Sequence, residues 1–435
     1  MGFELIDADA APHATAQRAL SAVNYRTRVF AAPQDISAAD WNGLLAQQQG
    51  ATPFMRHEYL AALHASGCAQ AEAGWQAQFL SLWRDGELHA ACPLYLKNHS
   101  RGEYVFDGSW AHAYAQHRLD YFPKALVAVP FTPVPGARLL ARDDAARAAL
   151  VRALIDHAQS ENLSSLHLLF ASAPDLAACR SAGLLLRQTV QFHWTNHAPA
   201  PHPPGWADTA DADRQPFDDF EHFLASLQQE KRKKIRQERR KVEQAGVRFR
   251  CLLGPEIKTA DWDFFYHCYR RTYLEHSNQP YLNREFFQLQ AQLMPQHWLL
   301  FVAERAGQAI ACSLVGIDPD ARVAYGRYWG ALERVDCLHF EACYYQPLIW
   351  CIAHGYLRFE GGAQGEHKMA RALLPVKTGS AHWLAQPAFA HAVERFLQRE
   401  DQGLALYLEQ LDQRTPLKTS PPAAAGAKQR AQPAA

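Results

Sequence analysis

Residues 298–330 read WLLFVAERAGQAIACSLVGIDPDARVAYGRYWG, and this stretch decides the fold class. Trp298–Arg305 and Gln308–Ile317 are apolar runs of strand length that turn at Gly307, which predicts an antiparallel hairpin. Val323–Gly330 predicts a third strand, Phe340–His354 a helix and Leu357–Gly361 a further strand. Pro347 falls inside that helix, so a kink or a late start is expected there. Upstream, Phe217–Leu227 predicts a helix that runs into a basic helix over Gln228–Gln244, closed by Gly246. Val247–Leu253 then predicts a strand and Asp261–Glu275 an aromatic-rich helix.

The first part of the chain repeats this order. Tyr25–Phe30 alternates as a strand, and Ser37 caps a helix reaching Gln48 with Trp41, Leu44 and Leu45 on one face. A second helix covers His57–Ser66. Strands Gln78–Arg84 and Leu88–Leu96 turn at Asp85-Gly86. A helix over Ala145–Glu161 and a buried strand over Ser165–Phe170 follow. Twice, the order is helix, helix, hairpin, strand, helix, strand. The expectation is an α/β chain of mixed sheets built as a tandem. Its parts are a loose leader (1–24), a first domain (25–200), a Pro-rich linker (201–216), a second domain (217–412) and a disordered tail (413–435).

Bulk composition agrees. At 435 residues the chain is too long for one ordinary core, and 48% hydrophobic with 20% charged residues is globular. The 44 basic and 44 acidic residues cancel, so any polyanion must be met by local clustering. Nine cysteines without a C-x-x-C pair point to reduced thiols. Acidic Glu4, Asp7 and Asp9 stand where a signal peptide needs positive charge, and no apolar run approaches the roughly 18–20 residues of a membrane span. A soluble cytoplasmic protein is expected, as a monomer or homodimer.

Three segments carry groups suited to chemistry. In the first, Lys97, Glu103, Asp107, Trp110, Tyr121 and Arg138 stand among aromatics and prolines in a stretch read as ordered loops, where ligand sites gather. The second, Gln229–Lys241, concentrates Lys231, Arg232, Lys233, Lys234, Arg236, Arg239 and Arg240 on one helix, leaving a thin apolar stripe of Leu227, Ile235 and Val242. That density suits an anionic partner, and a solvated helix is the plainer reading. The third joins Arg327-Tyr328-Trp329, His339, Glu341 and the run Gln364-Gly365-Glu366-His367-Lys368, with Arg371. An attacking amine needs a carboxylate or imidazole to take its proton, and a developing oxyanion needs a fixed cation or N–H donor. His339 and Glu341 lack a third ligand at zinc spacing, so no metal is expected. No Gly-x-Ser-x-Gly elbow suggests a serine hydrolase.

Pro93-Leu94-Tyr95-Leu96-Lys97, Gly102–Asp107, Pro130-Phe131-Thr132-Pro133, Arg327-Tyr328-Trp329-Gly330, Leu338-His339-Phe340-Glu341 and Gly362–Lys368 resemble the FemAB-like N-acyltransferases of the GNAT superfamily. The resemblance runs from about Tyr25 to Phe396. It implies two tandem GNAT-like domains and transfer of an acyl or aminoacyl group to an amine, with peptidoglycan precursors as the best-known acceptors in bacterial relatives. The basic helix matches the element that meets tRNA in those relatives, although it is a single short helix here. The glycine-bearing diphosphate loop of many GNAT enzymes is missing from Ala331–Cys337. No tightly bound cofactor is expected. The donor is acyl-CoA, acyl carrier protein or aminoacyl-tRNA.

On this reading Lys368 stabilises the oxyanion and Glu366 or Glu341 takes the amine proton, with His339 and His367 as further candidates for the base. The acceptor lies between the halves, so the 97–138 and 327–371 loops should face one another. Lys368, as a loop residue, is expected to bury little. The alternative is a non-catalytic RNA- or precursor-binding protein that uses the basic helix.

Overall fold

The computed structural model describes residues 24–197, 215–363 and 365–418. The expected leader apart from Asn24, most of the linker, Gln364 and the tail beyond Lys418 lie outside the described residues.

The first half runs β1 (Arg26–Phe30), α1 (Ala38–Ala46), α2 (His57–Ala65), β2 (Trp75–Ala77), β3 (Phe79–Arg84), β4 (Glu87–Cys92), β5 (Leu94–Lys97), α3 (Gly108–Gln116), β6 (Lys124–Val127), β7 (Leu140–Ala141), α4 (Asp144–Ser160), β8 (Ser165–Ala171), α5 (Ala173–Ser181) and β9 (Leu185–Thr195). The second runs α6 (Phe220–Ala225), α7 (Gln229–Gln244), β10 (Val247–Leu253), α8 (Thr259–Glu275), α9 (Arg284–Leu293), β11 (Trp298–Arg305), β12 (Gln308–Asp318), β13 (Val323–Ala331), α10 (Leu338–Phe340), α11 (Gln346–Ala353), β14 (Arg358–Ala363), β15 (Leu374–Leu384) and α12 (Pro387–Asp412).

Local chemistry explains the framework. Asp85-Gly86 and Ala306-Gly307 all have positive φ, the signature of a two-residue turn whose twist matches the flanking strands, so β3–β4 and β11–β12 are hairpins of one kind. Side chains of Ser37, Asp143, Asp219 and Asn283 cap α1, α4, α6 and α9. Pro93 divides the expected Leu88–Leu96 strand in two, because it cannot donate to a ladder. β4 then belongs to a four-stranded sheet, and β5 to a sheet of order β10-β11-β12-β13-β14-β9-β15-β8-β6-β5-β2.

The helix expected over Phe340–His354 is present as one continuous helical run from Leu338 to Ala353, widened locally in its first part. A π-turn at Glu341–Tyr345 joins α10 to α11, and Pro347 follows in the first turn of α11. The 97–138 stretch, read as loops, contains helix α3 and strand β6.

The central strands are exchanged. β9 of the first half lies between β14 and β15 of the second, and β15 in turn pairs with β8 of the first. One apolar core also crosses the halves: Phe54 and Tyr59 pack on Trp298 and Phe286. Parallel strands β13 and β14 pair only from Val323↔Arg358 to Tyr325↔Glu360, then part. A bulge between β12 and β13 leaves Arg327 unmatched just beyond that point.

Candidate active site

The gap above the β13–β14 ladder is edged by Arg327-Tyr328-Trp329 on one strand and by the 361–371 turn on the other. Gly365 turns the chain at φ 96°, where a Cβ would stand 2.5 Å from the His367 ring, so only glycine fits. Lys368 then points back along β14. Its Nζ donates to the carbonyl oxygens of Gly361 (2.6 Å) and Gly362 (3.3 Å). Lys368 is 7% exposed, which corrects the expectation of a lysine that buries little. That burial pulls its pKa down to about 8.

Around it stand two imidazoles. His367 is exposed, and its Nε2 lies 3.1 Å from the Tyr344 hydroxyl. His339 packs edge-on against Trp329 (5.4 Å between centroids) and Tyr344 (5.7 Å), and 6.4 Å from His367. Burial and then the His367, Arg371 and Lys368 charges hold His339 down at about 4; the same influences of burial, Arg371 and Lys368 lower His367. His339 is therefore a neutral proton acceptor at pH 7.

The carboxylates are placed differently. Glu366 is exposed, with Arg414 3.5 Å away. Glu341 is buried in the π-turn and accepts from Arg239 (3.2 Å) and Gln346 (2.7 Å). Arg371, 2% exposed, forks onto both oxygens of Glu238 (2.9 and 2.8 Å), donates to the His367 carbonyl (2.7 Å) and lies 3.5 Å over the Phe340 ring. Glu238 also accepts from the Tyr345 hydroxyl. This ties helix α7 to the Lys368 turn. Sequence reasoning missed Glu238, although it falls between Ile235 and Val242 on the thin apolar stripe, where a carboxylate needs a buried partner.

The remaining cations of α7 divide. Arg236 pairs with Glu221, Lys231 with Glu230 and Lys241 with Asp336. Arg232, Lys233, Lys234 and Arg240 have no ion-pair partner among the described residues.

The 97–138 loops do meet the 327–371 segment. Arg327 Nη2 donates to the Phe131 carbonyl (3.1 Å) and Thr132 Oγ1 (3.4 Å), and its guanidinium lies over Phe54 and Tyr328. The other first-half candidates are interior groups. Lys97 lies 3.7 Å over the Trp75 ring, and burial brings its pKa to about 7. Lys124 bridges Glu103 (2.8 Å) and Asp107, and Tyr121 donates to Asp107 (2.7 Å). Burial raises Glu103 to about 7, whereas Lys124 and His167 help to hold Asp107 low against its own burial. Trp110 packs beside His382 and His167, whose Nδ1 atoms lie 2.8 Å apart. Arg138 is buried; it anchors the 134–138 loop on the Val134 carbonyl and, through its backbone N–H, on Asp175.

No group of three or more His, Cys, Asp or Glu side chains among the described residues could hold a metal, and no helix of those residues is long and apolar enough to cross a membrane.

Similar solved structures include FemX (11% identity, 82% of this chain and 98% of that one, TM-score 0.48) and L-PGS from Bacillus licheniformis (11%, 83% and 97%, 0.48). A tandem GNAT protein from the clavulanic acid biosynthesis pathway matches at 12% identity over 84% of this chain and 99% of its own, with a TM-score of 0.41. No curated protein matches the sequence. The profile of the FemAB-like family, described as peptidoglycan biosynthesis/recognition, matches residues 32–419, and the chain belongs to that family.

Proposed function

We propose that the protein transfers an acyl or aminoacyl group from an activated donor to an amine, with the reacting carbonyl in the gap between β13 and β14. The observation that carries this reading is the fixed Lys368 cation, turned back toward the gap by Gly365 and flanked by the neutral imidazoles of His339 and His367. The amine nitrogen attacks the carbonyl carbon of the thioester or ester. Lys368 stabilises the oxyanion that develops, and an imidazole or a carboxylate accepts the proton the amine loses. Collapse breaks the C–S or C–O bond, and that proton leaves with the departing thiol or hydroxyl. Family membership favours a cell-envelope precursor as the acceptor.

A coenzyme A diphosphate is disfavoured at the start of α10. The Leu338 N–H already donates to the Val335 carbonyl and the Phe340 and Glu341 N–H groups to that of Cys337, so these groups do not converge on an anion. The four unpaired cations of α7, joined through Glu238 and Arg371 to the Lys368 turn, favour a polyanionic donor such as aminoacyl-tRNA. Incubating the full chain with an amine acceptor and, separately, an aminoacyl-tRNA, an acyl carrier protein and an acyl-CoA tests the proposal. Mass spectrometry should find the acceptor heavier by one acyl or aminoacyl group with one of the three.

A further inference from the structure

Arg327 is a cation without a counter-charge. Its Nη2 donates to the Phe131 carbonyl (3.1 Å), Thr132 Oγ1 (3.4 Å) and the Tyr328 hydroxyl (3.1 Å). The rings of Phe54 and Tyr328 lie 5.2 and 5.0 Å from the guanidinium, which is half-buried between them. No carboxylate among the described residues pairs with it. Its Nη1 makes none of the Nη2 bonds and keeps surface that solvent can reach. Arginine does not shed its proton on burial, so a guanidinium held this way favours any anion that can reach Nη1.

Phenol hydroxyls gather at the same place. Those of Tyr104, Tyr273 and Tyr281 stand beside Tyr328 and Arg327. Tyr281 stacks on Phe131, 5.0 Å between centroids, and Tyr273 meets Tyr281 edge-on at 5.8 Å. Tyr328 accepts from Arg327 and keeps its own O–H to donate, while the oxygens of Tyr273 and Tyr281 are, like Nη1, open to solvent. Two residues of this corner hold a left-handed backbone that side chains disfavour: Tyr104 at φ 62° and Phe131 at φ 57°. Such residues persist only where their surroundings hold them, and they cluster at ligand clamps.

The corner is built from both halves, and it is separate from the Lys368 turn. Lys368 and its imidazoles pack with α10 and, through Arg371 and Glu238, with α7. Arg327 packs instead against Phe54, Phe131 and Thr132 of the first half. The cations of α7 favour the donor, so an anion at Arg327 belongs to the other substrate.

We infer that Arg327, with the hydroxyls of Tyr104, Tyr273, Tyr281 and Tyr328, binds an anionic group, a carboxylate or a phosphate, carried by the amine acceptor. The word acceptor rests on the transferase reading; the anion site does not. Nη1 supplies a charge-assisted bond and the phenols supply O–H donors around it, a set that a neutral group uses less well. The acceptor class that follows is an amine that also bears an acid, such as an amino acid, a peptide or an amino phosphate ester.

Three small amines test this: diglycine carries a carboxylate, phosphoethanolamine a phosphate and ethanolamine no anion. Calorimetry on the full chain without donor should show diglycine or phosphoethanolamine binding at least about tenfold more tightly than ethanolamine, the gain of one hydrogen bond to a charged group. The tighter of the two identifies the anion. Arg327→Gln should remove the preference. Tyr104→Phe takes away one hydroxyl at a loop position that is 39% exposed, and should reduce the preference by about threefold to tenfold. Equal binding of the three amines, or no binding at about 10 mM, would overturn the site. So would a preference left unchanged by Arg327→Gln, or by Tyr104→Phe where Arg327→Gln does not fold. Because no donor is present, that outcome leaves the proposed chemistry at Lys368 standing, and a failure to find transfer leaves this binding result standing.

Discussion

Thr189 and Thr378 hydrogen-bond to each other through their side-chain hydroxyls, 2.7 Å apart, in the middle of the β9–β15 ladder. Four residues beyond each lies a histidine on the same face of the sheet: His193 opposite Glu360 on β14, and His382 opposite His167 on β8. The threonine pair thus marks the pseudo-twofold centre about which the two halves exchange strands. Thr189→Val leaves the buried Thr378 hydroxyl without its partner and should cost about 1–2 kcal/mol, and Thr378→Val, which strands the half-buried Thr189 hydroxyl, should cost about 1 kcal/mol. The double variant should cost less than the sum of the two, because both polar groups go together. Urea unfolding of the three variants checks this; strict additivity would deny the pair its role.

This exchange was the least legible part of the fold. The hairpins and the first parallel pair of the second half follow from apolar runs and glycine turns, and Trp298–Arg305 needs no tertiary information. β15 does not read that way. Its sequence, Leu374–Leu384, mixes Lys377, Thr378, Ser380 and His382 among apolar residues because one of its faces meets the polar line of His167, His193 and Glu360. Helix α12 likewise joins both halves through Arg187–Glu400, a contact visible only in three dimensions. At the site, the Gly365–Lys368 run was legible as chemistry, since glycine and a charged cluster follow a strand. The partners of that run were not, because Glu238 is 133 positions from Arg371. Glu360 pairs with Arg358, two residues away, through one oxygen; that its second oxygen is buried without a hydrogen-bond partner among the described residues has no sequence signature.

Acid should unfold the protein through its buried imidazoles. Burial holds His193 and His339 near 4, below the ordinary value of 6.5. With folded values depressed, the stability is fully present above pH 6.5 and is lost as pH falls from about 6.5 toward about 4, where the unfolded chain binds protons that the folded chain refuses. The loss from His193, which is 5% exposed, is on the order of 3 kcal/mol. His193→Gln should flatten that part of a denaturant-stability profile between pH 7 and 4; an unchanged slope would place the acid sensitivity elsewhere.

Glu238 holds a buried guanidinium. Glu238→Ala strands Arg371 without a counter-charge and should cost about 3–5 kcal/mol. Replacing both, as Glu238→Leu with Arg371→Met, should restore most of that stability yet leave the His367 carbonyl without its donor. Thermal melts of the two variants check the first point, and transfer rates check whether the Lys368 turn depends on the pair.

The free face of α7 makes a salt prediction. With Arg232, Lys233, Lys234 and Arg240 without ion-pair partners among the described residues, binding of tRNA should weaken with salt at a log–log slope of about −2.8 to −3.6, at about 0.7–0.9 per phosphate. Changing all four to Gln should flatten the slope. Salt-insensitive binding would return α7 to a packing role.

The most direct test concerns Lys368. If it stabilises the oxyanion, Lys368→Met should remove about 2.7–4 kcal/mol of transition-state stabilisation, on the order of a hundredfold to a thousandfold in rate. Its burial and its bonds to the Gly361 and Gly362 carbonyls mean that the variant should also melt earlier, by about 1–3 kcal/mol, so rates must be counted per folded molecule. In the wild type the rate should fall as pH rises past about 8, where the lysine loses its charge. The decisive measurement is single-turnover transfer to an amine, followed by mass spectrometry at 20 °C, well below both melting points. Loss of turnover in folded Lys368→Met supports the account, and turnover equal to that of the wild type contradicts it.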